Sequence, residues 1–509
     1  MNPKKRIAII PGDGIGKEVI PEAVKVIAAS GADVETSHFD WGADRYLADG
    51  VTVPPDGFAM LERDFDAILL GAFGDPRVRT NIHAKEILLG MRFQMDLYAN
   101  VRPVRLLNSS LCPLKGVEPK DVDFVVVREN TEGVYTDAGG VFKQGTPDEI
   151  AVQEDINTRK GVERVIRYAF DYCERHTKQD GSRRQRVLMC DKSNAMTHAG
   201  GLWQRVFKEV SSEYPQIKAE HMYVDALCMQ MVRDPRQFDM IVTNNMFGDI
   251  ITDLAAGLQG GLGMAASGNI HPGKTSMFEP VHGSAPPIAG KNIANPFGAI
   301  LTAAMMLNHL GLAKESEKIE SAVLEAVRQK KTTQDVGGSL GTREAGEWLA
   351  GRVAGRPVST AAEASNPNRL NTEKGRNFQQ RCAEALKAHY GKEFELEVPL
   401  STGGTKLHKF DLVSADRNIV VECKAFCWTR PDFGIPVAKI TTLKEAVQYL
   451  RTLPGTQKRL LIVQKDVKPR TSESLASYFA RLNKDILGEV TVLEMPLEGG
   501  EIACIHGNL

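Results

Sequence analysis

The sequence predicts an α/β protein made of two separate α/β bodies. Short β-branched runs alternate with helical periods from the first residues to about position 350. A stretch of small, polar and turn-forming residues, "GRPVSTAAEASNPNRLNTEKG" at 355–375, breaks that alternation. The alternation then resumes over a length typical of one more domain. With 509 residues the chain is also too long for one ordinary core.

In the first body, expected at 1–354, "RIAII", "DAILLG", "DFVVV", "RVLMC" and "DMIVTN" read as buried strands, because strands covered on both faces need near-continuous apolar runs. "EVIPEAVKVIAAS" and "GLWQRVFKEVSSEY" space their apolar residues as helices do. The start, "MNPKKRIAIIPGDGIG", has the basic residues of a signal peptide, but its apolar run is short and meets Pro11, Gly12 and Asp13, so a first strand is expected. "FGAILTAAMMLNHLGLA" is interrupted by Asn308 and His309 and reads as a core helix, not a membrane span.

After the linker expected at 355–375, the second body, 376–509, runs helix ("NFQQRCAEALKAHY"), three strands ("FELEVPL", "KFDLV", "NIVVECKAF"), helix ("LKEAVQYLRTL"), strand ("RLLIVQ"), helix ("SESLASYFARLN") and strand ("EVTVLEM").

Composition narrows the function classes. Lys+Arg 63 against Asp+Glu 64 leaves a net charge of -1, so no global field draws the protein to nucleic acid or membrane, and any such contact must be local. The 8 cysteines show neither CxxC pairs nor zinc-ligand spacing, which suits a reducing compartment; a cytoplasmic location is expected.

Several residues carry chemistry. The glycines of "PGDGIGKEV" stand at 12, 14 and 16 and miss the dinucleotide fingerprint, leaving a tight strand-to-helix turn. Arg92, Arg102 and Arg128 lie near strand ends, where guanidinium groups can grip a substrate with several carboxylates in bidentate fashion. Asp249 and Asp253, at i and i+4, share one helix face among apolar and glycine neighbours, and two stacked carboxylates there call for a cation. Asp225 is a third candidate oxygen ligand, and an all-carboxylate set suits magnesium or manganese rather than zinc.

In this order, "GDGIG", "RENTEGVY", "DKSN", "NMFGDI.TD" and "EPVHGSAP.IAGKNIANP" resemble the metal-dependent β-decarboxylating dehydrogenases, the group containing isopropylmalate, isocitrate, homoisocitrate and tartrate or D-malate dehydrogenases. The resemblance spans roughly residues 5 to 350. It implies a two-lobed body unlike the ordinary dinucleotide-binding fold, and a homodimer or higher homo-oligomer in which Lys192 and Asp225 serve the partner's site. It further implies that Arg92, Arg102 and Arg128 clamp a small 2-hydroxy acid of the malate type. Asp225, Asp249 and Asp253 would hold Mg2+ or Mn2+, and Tyr135 and Lys192 would act as general acid and base.

Leu88 and Leu89 stand before Arg92 as in isopropylmalate enzymes, where leucines face a branched alkyl group, although Lys85 occupies the position where those enzymes carry a glutamate. Tartrate or D-malate stays open. His282, Gly283, Ser284, Ala285, Asn295 and Asp335 match cofactor-loop positions. Pro287 and Ile288 replace both the aspartate of NAD-type members and the lysine and tyrosine of NADP-type members, and the expectation is NAD rather than NADP.

In the second body a period of two places Glu422 and Lys424 on one strand face, and a hairpin turn at "ADRN" can bring Asp411 alongside. Two carboxylates and a lysine suit Mg2+-dependent attack on a phosphodiester, and their charges interrupt buried-looking runs, where an unpaired ion is costly. The element order resembles the PD-(D/E)xK nuclease, or restriction-endonuclease-like, superfamily, which implies DNA as partner and substrate. Residues 371–509 hold 20 Lys+Arg against 17 Asp+Glu, a mild bias in that direction. Two readings result: a dehydrogenase joined to a nuclease, or a dehydrogenase-like body that senses a metabolite or cofactor and gates the nuclease, as an antiviral defence effector would.

Overall fold

A computed structural model describes residues 4–356, 367–401, 407–426, 428, 437–468 and 473–508. The chain divides into two compact units, Met1–Ala362 and Glu363–Leu509.

The first unit is built on a ten-stranded sheet. Its spatial order is Val34–His38, Lys5–Ile10, Ala67–Leu70, Ser276–Pro280, Ala266–Ile270, Ala99–Arg105, Asp123–Glu129, Met240–Thr243, Arg186–Asp191 and Lys218–Tyr223. The expected apolar runs form its two wings, where neighbours pair in parallel. The centre is antiparallel: Ala266–Ile270 pairs with both Ser276–Pro280 and Ala99–Arg105, and Ala99–Arg105 with Asp123–Glu129.

Three of these central strands, "ANVRPVR", "ASGNI" and "SMFEP", lack an apolar run because they carry a buried polar network. Asn100 Nδ2 donates to Ser267 Oγ at 2.9 Å and to Asn269 Oδ1 at 3.0 Å, and Asn269 Nδ2 donates to Glu279 Oε1 at 3.0 Å. Satisfied in this way, the polar groups cost little to bury and fix one arrangement of the strands.

The helix Phe297–His309 is buried nearly all round, as a core helix should be. Among the described residues, no helix is long and apolar enough to cross a membrane. Gly14 explains the glycine spacing of "GDGIG". Its φ is +51°, a Cβ there would lie 2.0 Å from the Ser284 carbonyl oxygen, and the next amide, Ile15 N–H, donates to that oxygen at 2.9 Å. Gly14→Ala is therefore expected to destabilise this unit by more than about 1 kcal/mol; calorimetry showing an unchanged unfolding midpoint would contradict this.

The second unit holds a six-stranded sheet in sequential order: Phe394–Ser401, Leu407–Ser414, Ile419–Lys424, Lys458–Gln464, Val490–Met495 and Ala503–His506. The first three strands form an antiparallel meander. Val437–Arg451 then crosses over to a parallel strand, as such a connection must. The terminal strand Ala503–His506 was not expected; it is short and partly exposed, with little apolar signal.

One expectation is corrected. Helix Pro367–Tyr390 begins inside the stretch read as linker, because Pro367 sits in its first turn, where proline needs no hydrogen-bond partner. Residues 357–366 of that stretch lie outside the described residues.

Candidate active site

The antiparallel centre of the first sheet floors a cleft of about 450 Å³. Arg102 and Arg128 reach it from adjacent strands, and Arg92 from Gly90–Gln94, a helical segment entered through the wide π-type turn Lys85–Leu89. That turn brings Lys85, Leu88 and Leu89 to the cleft wall, whereas Glu86 points away and accepts from Thr52 Oγ1 at 2.5 Å.

The arginines are buried and each is held by partners. Arg92 pairs with Glu279 at 2.8 Å. Arg102 donates to Asn100 Oδ1 at 2.8 Å and Thr252 Oγ1 at 2.5 Å. Arg128 grips Asn245 Oδ1 with two nitrogens, at 3.0 and 2.7 Å, and Asp249 Oδ1 at 2.5 Å. Burial pushes the Arg128 and Arg102 guanidinium groups below the ordinary arginine range, and each has another arginine adding to that effect. Lys85 and the three arginines outnumber Asp249 and Glu279 along the walls, so the cleft favours an anion with more than one carboxylate.

Tyr135 donates to Asp249 Oδ2 at 2.8 Å and lies beneath the Arg128 guanidinium, 5.2 Å from ring centre to Cζ. Burial and the hydrogen bond to Asp249 raise the phenol, which keeps it a proton donor at neutral pH. Burial also pushes Asp249 up, but Arg128 and Arg102 outweigh it and hold that carboxyl below the usual aspartate range. Asp253 is raised, chiefly by burial, and stands 4.0 Å from Arg102.

Two residues were expected to serve the partner's cleft and not their own. Lys192 and Asp225 do not line the cleft but pair with each other at 3.0 Å on a surface where Asp225 is 68% exposed. Among the described residues no three His, Cys, Asp or Glu side chains of one chain gather as a metal site. Glu279, which anchors Arg92, was missed; its signal was a lone acid beside Phe278 in the short segment "SMFEPV".

Along the adjoining loop, His282 and Gly283 edge the cleft, and the His282 Nε2 is buried with no partner. Ser284 carries the carbonyl seated on Gly14, and Ala285 takes a φ of +43°. Asn295 Nδ2 donates to Asp335 Oδ2 at 2.9 Å, and Asp335 borders a second cleft with Arg328 and Lys330.

Residues 6–349 match the family model for isocitrate/isopropylmalate dehydrogenase. The chain belongs to this family. It is 47% identical over 355 residues to 3-isopropylmalate dehydrogenase of Thermobifida fusca, an alignment covering 69% of this chain and 98% of that relative. The isocitrate dehydrogenase structure from Methylococcus capsulatus is 38% identical with a TM-score of 0.63, over 69% of this chain and 99% of that one. The TT0538 protein from Thermus thermophilus is 32% identical with a TM-score of 0.62 and covers 80% of this chain and 86% of that one. The last coverage exceeds the 362 residues of the dehydrogenase unit, so the likeness extends into the second unit.

Beyond the dehydrogenase unit, the second unit gathers a cluster of its own. Lys424 Nζ lies 3.0 Å from Asp411 Oδ2 and 2.5 Å from Glu422 Oε2. Asp411 also accepts from Gln379 Nε2 and from the Cys423 amide, both at 2.7 Å. Glu422, almost wholly buried, faces His408 Nε2 at 2.9 Å, and the His408 ring stacks on Tyr449 at 3.8 Å. Burial, with help from Asp411, raises the Glu422 carboxyl; burial lowers Lys424, but the two carboxylates outweigh it and raise the amine. His408 was missed because it precedes Asp411 by three residues, and only the hairpin carries it to Glu422.

Proposed function

We propose that the first unit oxidises and decarboxylates a 3-substituted D-malate, 3-isopropylmalate foremost, using NAD and a divalent metal ion. The observation that carries this is the convergence of Arg92, Arg102 and Arg128 with the Tyr135–Asp249 pair in one cleft. The arginines take the substrate carboxylates, and Leu88 and Leu89 offer the apolar wall that a branched alkyl group prefers over a charged one.

Asp249 in the cleft and Asp253 one turn along the same helix, 4.0 Å from Arg102, offer hard oxygen donors, and Asp225 of a second copy would complete a set suited to magnesium or manganese. Bound there, the ion would stabilise negative charge on the substrate oxygens. Lys192 of that second copy would take the hydroxyl proton, and Tyr135, kept protonated, would return one to carbon. The unpartnered His282 Nε2, the Asn295–Asp335 pair and the Ser284 loop fit a dinucleotide; with Pro287 offering no acceptor, ribose recognition there would be weak. Tyr135→Phe is expected to lower kcat about 10²-fold while leaving KM within a few fold, because only proton transfer is lost. Equal losses in both parameters would contradict this.

Exposed apolar side chains support the homodimer. Val141, Phe142 and Ile150 project from the hairpin Gly139–Phe142/Ile150–Gln153, and Met229 and Val232 from the helix that carries Asp225. Phe142→Asp with Val232→Asp is expected to give monomers by sedimentation and to abolish turnover, since each cleft then lacks Lys192 and Asp225. Active monomers would refute shared sites. The seven described cysteines are free, which agrees with the proposed cytoplasmic location.

For the second unit we propose metal-dependent cleavage of DNA, in which Asp411 and Glu422 would hold Mg2+ and Lys424 would steady the charge that develops on the phosphate. A second reading, favoured by Pro287, makes the dehydrogenase body a sensor and oligomerisation scaffold that governs its appendage. Following the nicotinamide absorbance with 3-isopropylmalate, D-malate or isocitrate, NAD or NADP, and magnesium tests the first unit. Incubating plasmid DNA with wild type and Asp411→Ala tests the second.

A further inference from the structure

Asp13 and His83 are buried side by side, outside the machinery described above: their side chains are 1% and 0% exposed. Asp13 Oδ1 accepts from the Ala43 amide at 2.7 Å, and Oδ2 accepts from the Gly74 amide at 3.0 Å and lies 2.8 Å from His83 Nε2. Because a carboxylate only accepts, Nε2 must carry the hydrogen. His83 Nδ1 is buried with no partner. Beside a loose stack on Tyr46, ring centres 6.2 Å apart, what the ring adds over an apolar side chain, which would strand no nitrogen, is its bond to Asp13.

The two residues connect segments far apart in sequence. His83 lies in Ile82–Ala84, immediately before the turn that presents Leu88, Leu89 and Arg92. Asp13 N–H donates to Ala72 O at 2.7 Å, Gly14 abuts the Ser284 carbonyl, and Ile15 N–H donates to it at 2.9 Å. Gly74 comes directly after Phe73, another cleft residue.

Resting on the dehydrogenase reading above, we propose that Asp13 and His83 are a positioning pair. They form a strut that sets the substrate-side helix and the cofactor-side loop 282–285 in register with each other. Hydride transfer needs its two carbons held in a narrow range of distance and angle; Arg92–Glu279 ties the same helix to the strand leading into that loop, and Asp13–His83 braces it from the other side, through the Gly14 turn.

The test uses the full-length protein with His83→Leu, His83→Gln and His83→Asn. Hydrogen–deuterium exchange without ligands is followed at 84–92 and 282–286, and turnover is followed with 3-isopropylmalate, NAD and magnesium. In His83→Leu, exchange should rise about tenfold or more in both segments together, and kcat should fall about tenfold or more with each KM changed less than about threefold. Glutamine, whose amide reaches the place of Nε2, should restore both readouts; asparagine, one bond shorter, should restore neither. Exchange rising at 84–92 alone, or asparagine matching glutamine, overturns the strut. If His83→Leu does not fold, the Gln and Asn comparison decides. A wild type without turnover would end the activity reading instead, and the exchange arm would still judge the strut.

Discussion

Arg128→Met is expected to lower kcat/KM for 3-isopropylmalate on the order of 10²–10³-fold, the largest effect of any single change in the dehydrogenase cleft. Removing one member of a buried, hydrogen-bonded charge pair costs about 2–5 kcal/mol, and each tenfold in rate corresponds to about 1.4 kcal/mol. Arg128 is 1% exposed and sits between Asn245, Asp249 and the Tyr135 ring, so its loss frees three partners at once. Arg128→Lys should recover little, because an ammonium cannot span Asn245 and Asp249 as the planar fork does.

The same variant has a pH signature. Asp249 is held low by Arg128 and Arg102, so its contribution to stability is present above the ordinary aspartate range and lost as pH falls through its depressed value. Without Arg128 that depression shrinks, and acid unfolding should begin at higher pH. A kcat/KM within tenfold of wild type, or an unchanged acid limb, would contradict this account.

The second large effect is expected from Lys424→Met. Lys424 separates two carboxylates in a buried setting, with Glu422 3% exposed at its side chain. Breaking such a group by removing its cation costs about 3–5 kcal/mol, so the second unit should unfold well before the first on heating. If the carboxylates are built for a hard cation, manganese should restore the variant's midpoint more than it raises the wild type's, because the ion takes the place the amine left. Plasmid cleavage should vanish in the variant with or without metal. Lost stability with no manganese response would leave a structural ion pair and end the nuclease proposal.

The wings of the first sheet were legible because their strands are simple: "RIAII" and "DMIVTN" lie between helices and bury almost everything they carry. The centre was not, because "ASGNI" and "SMFEP" spend their interior positions on Asn269 and Glu279, whose partners come from distant parts of the chain. Likewise, Asp249 and Asp253 could be placed on one helix face by spacing alone, whereas the place of Lys192 and Asp225 outside their own cleft came from the family resemblance and not from spacing. Gln379 serves as a donor to Asp411, a role that only the packing of helix on hairpin reveals.

The wide turn at Lys85–Leu89 accommodates one residue more than a regular coil would. Deleting a single position there would close the wide turn into a regular coil, re-aiming the residues inside it by up to roughly 100° and so moving the leucines at the wall without changing any side chain's chemistry. Substrate preference in this scaffold is thereby open to revision through chain length as well as residue identity, and a one-codon deletion would be the shortest route to a new appetite.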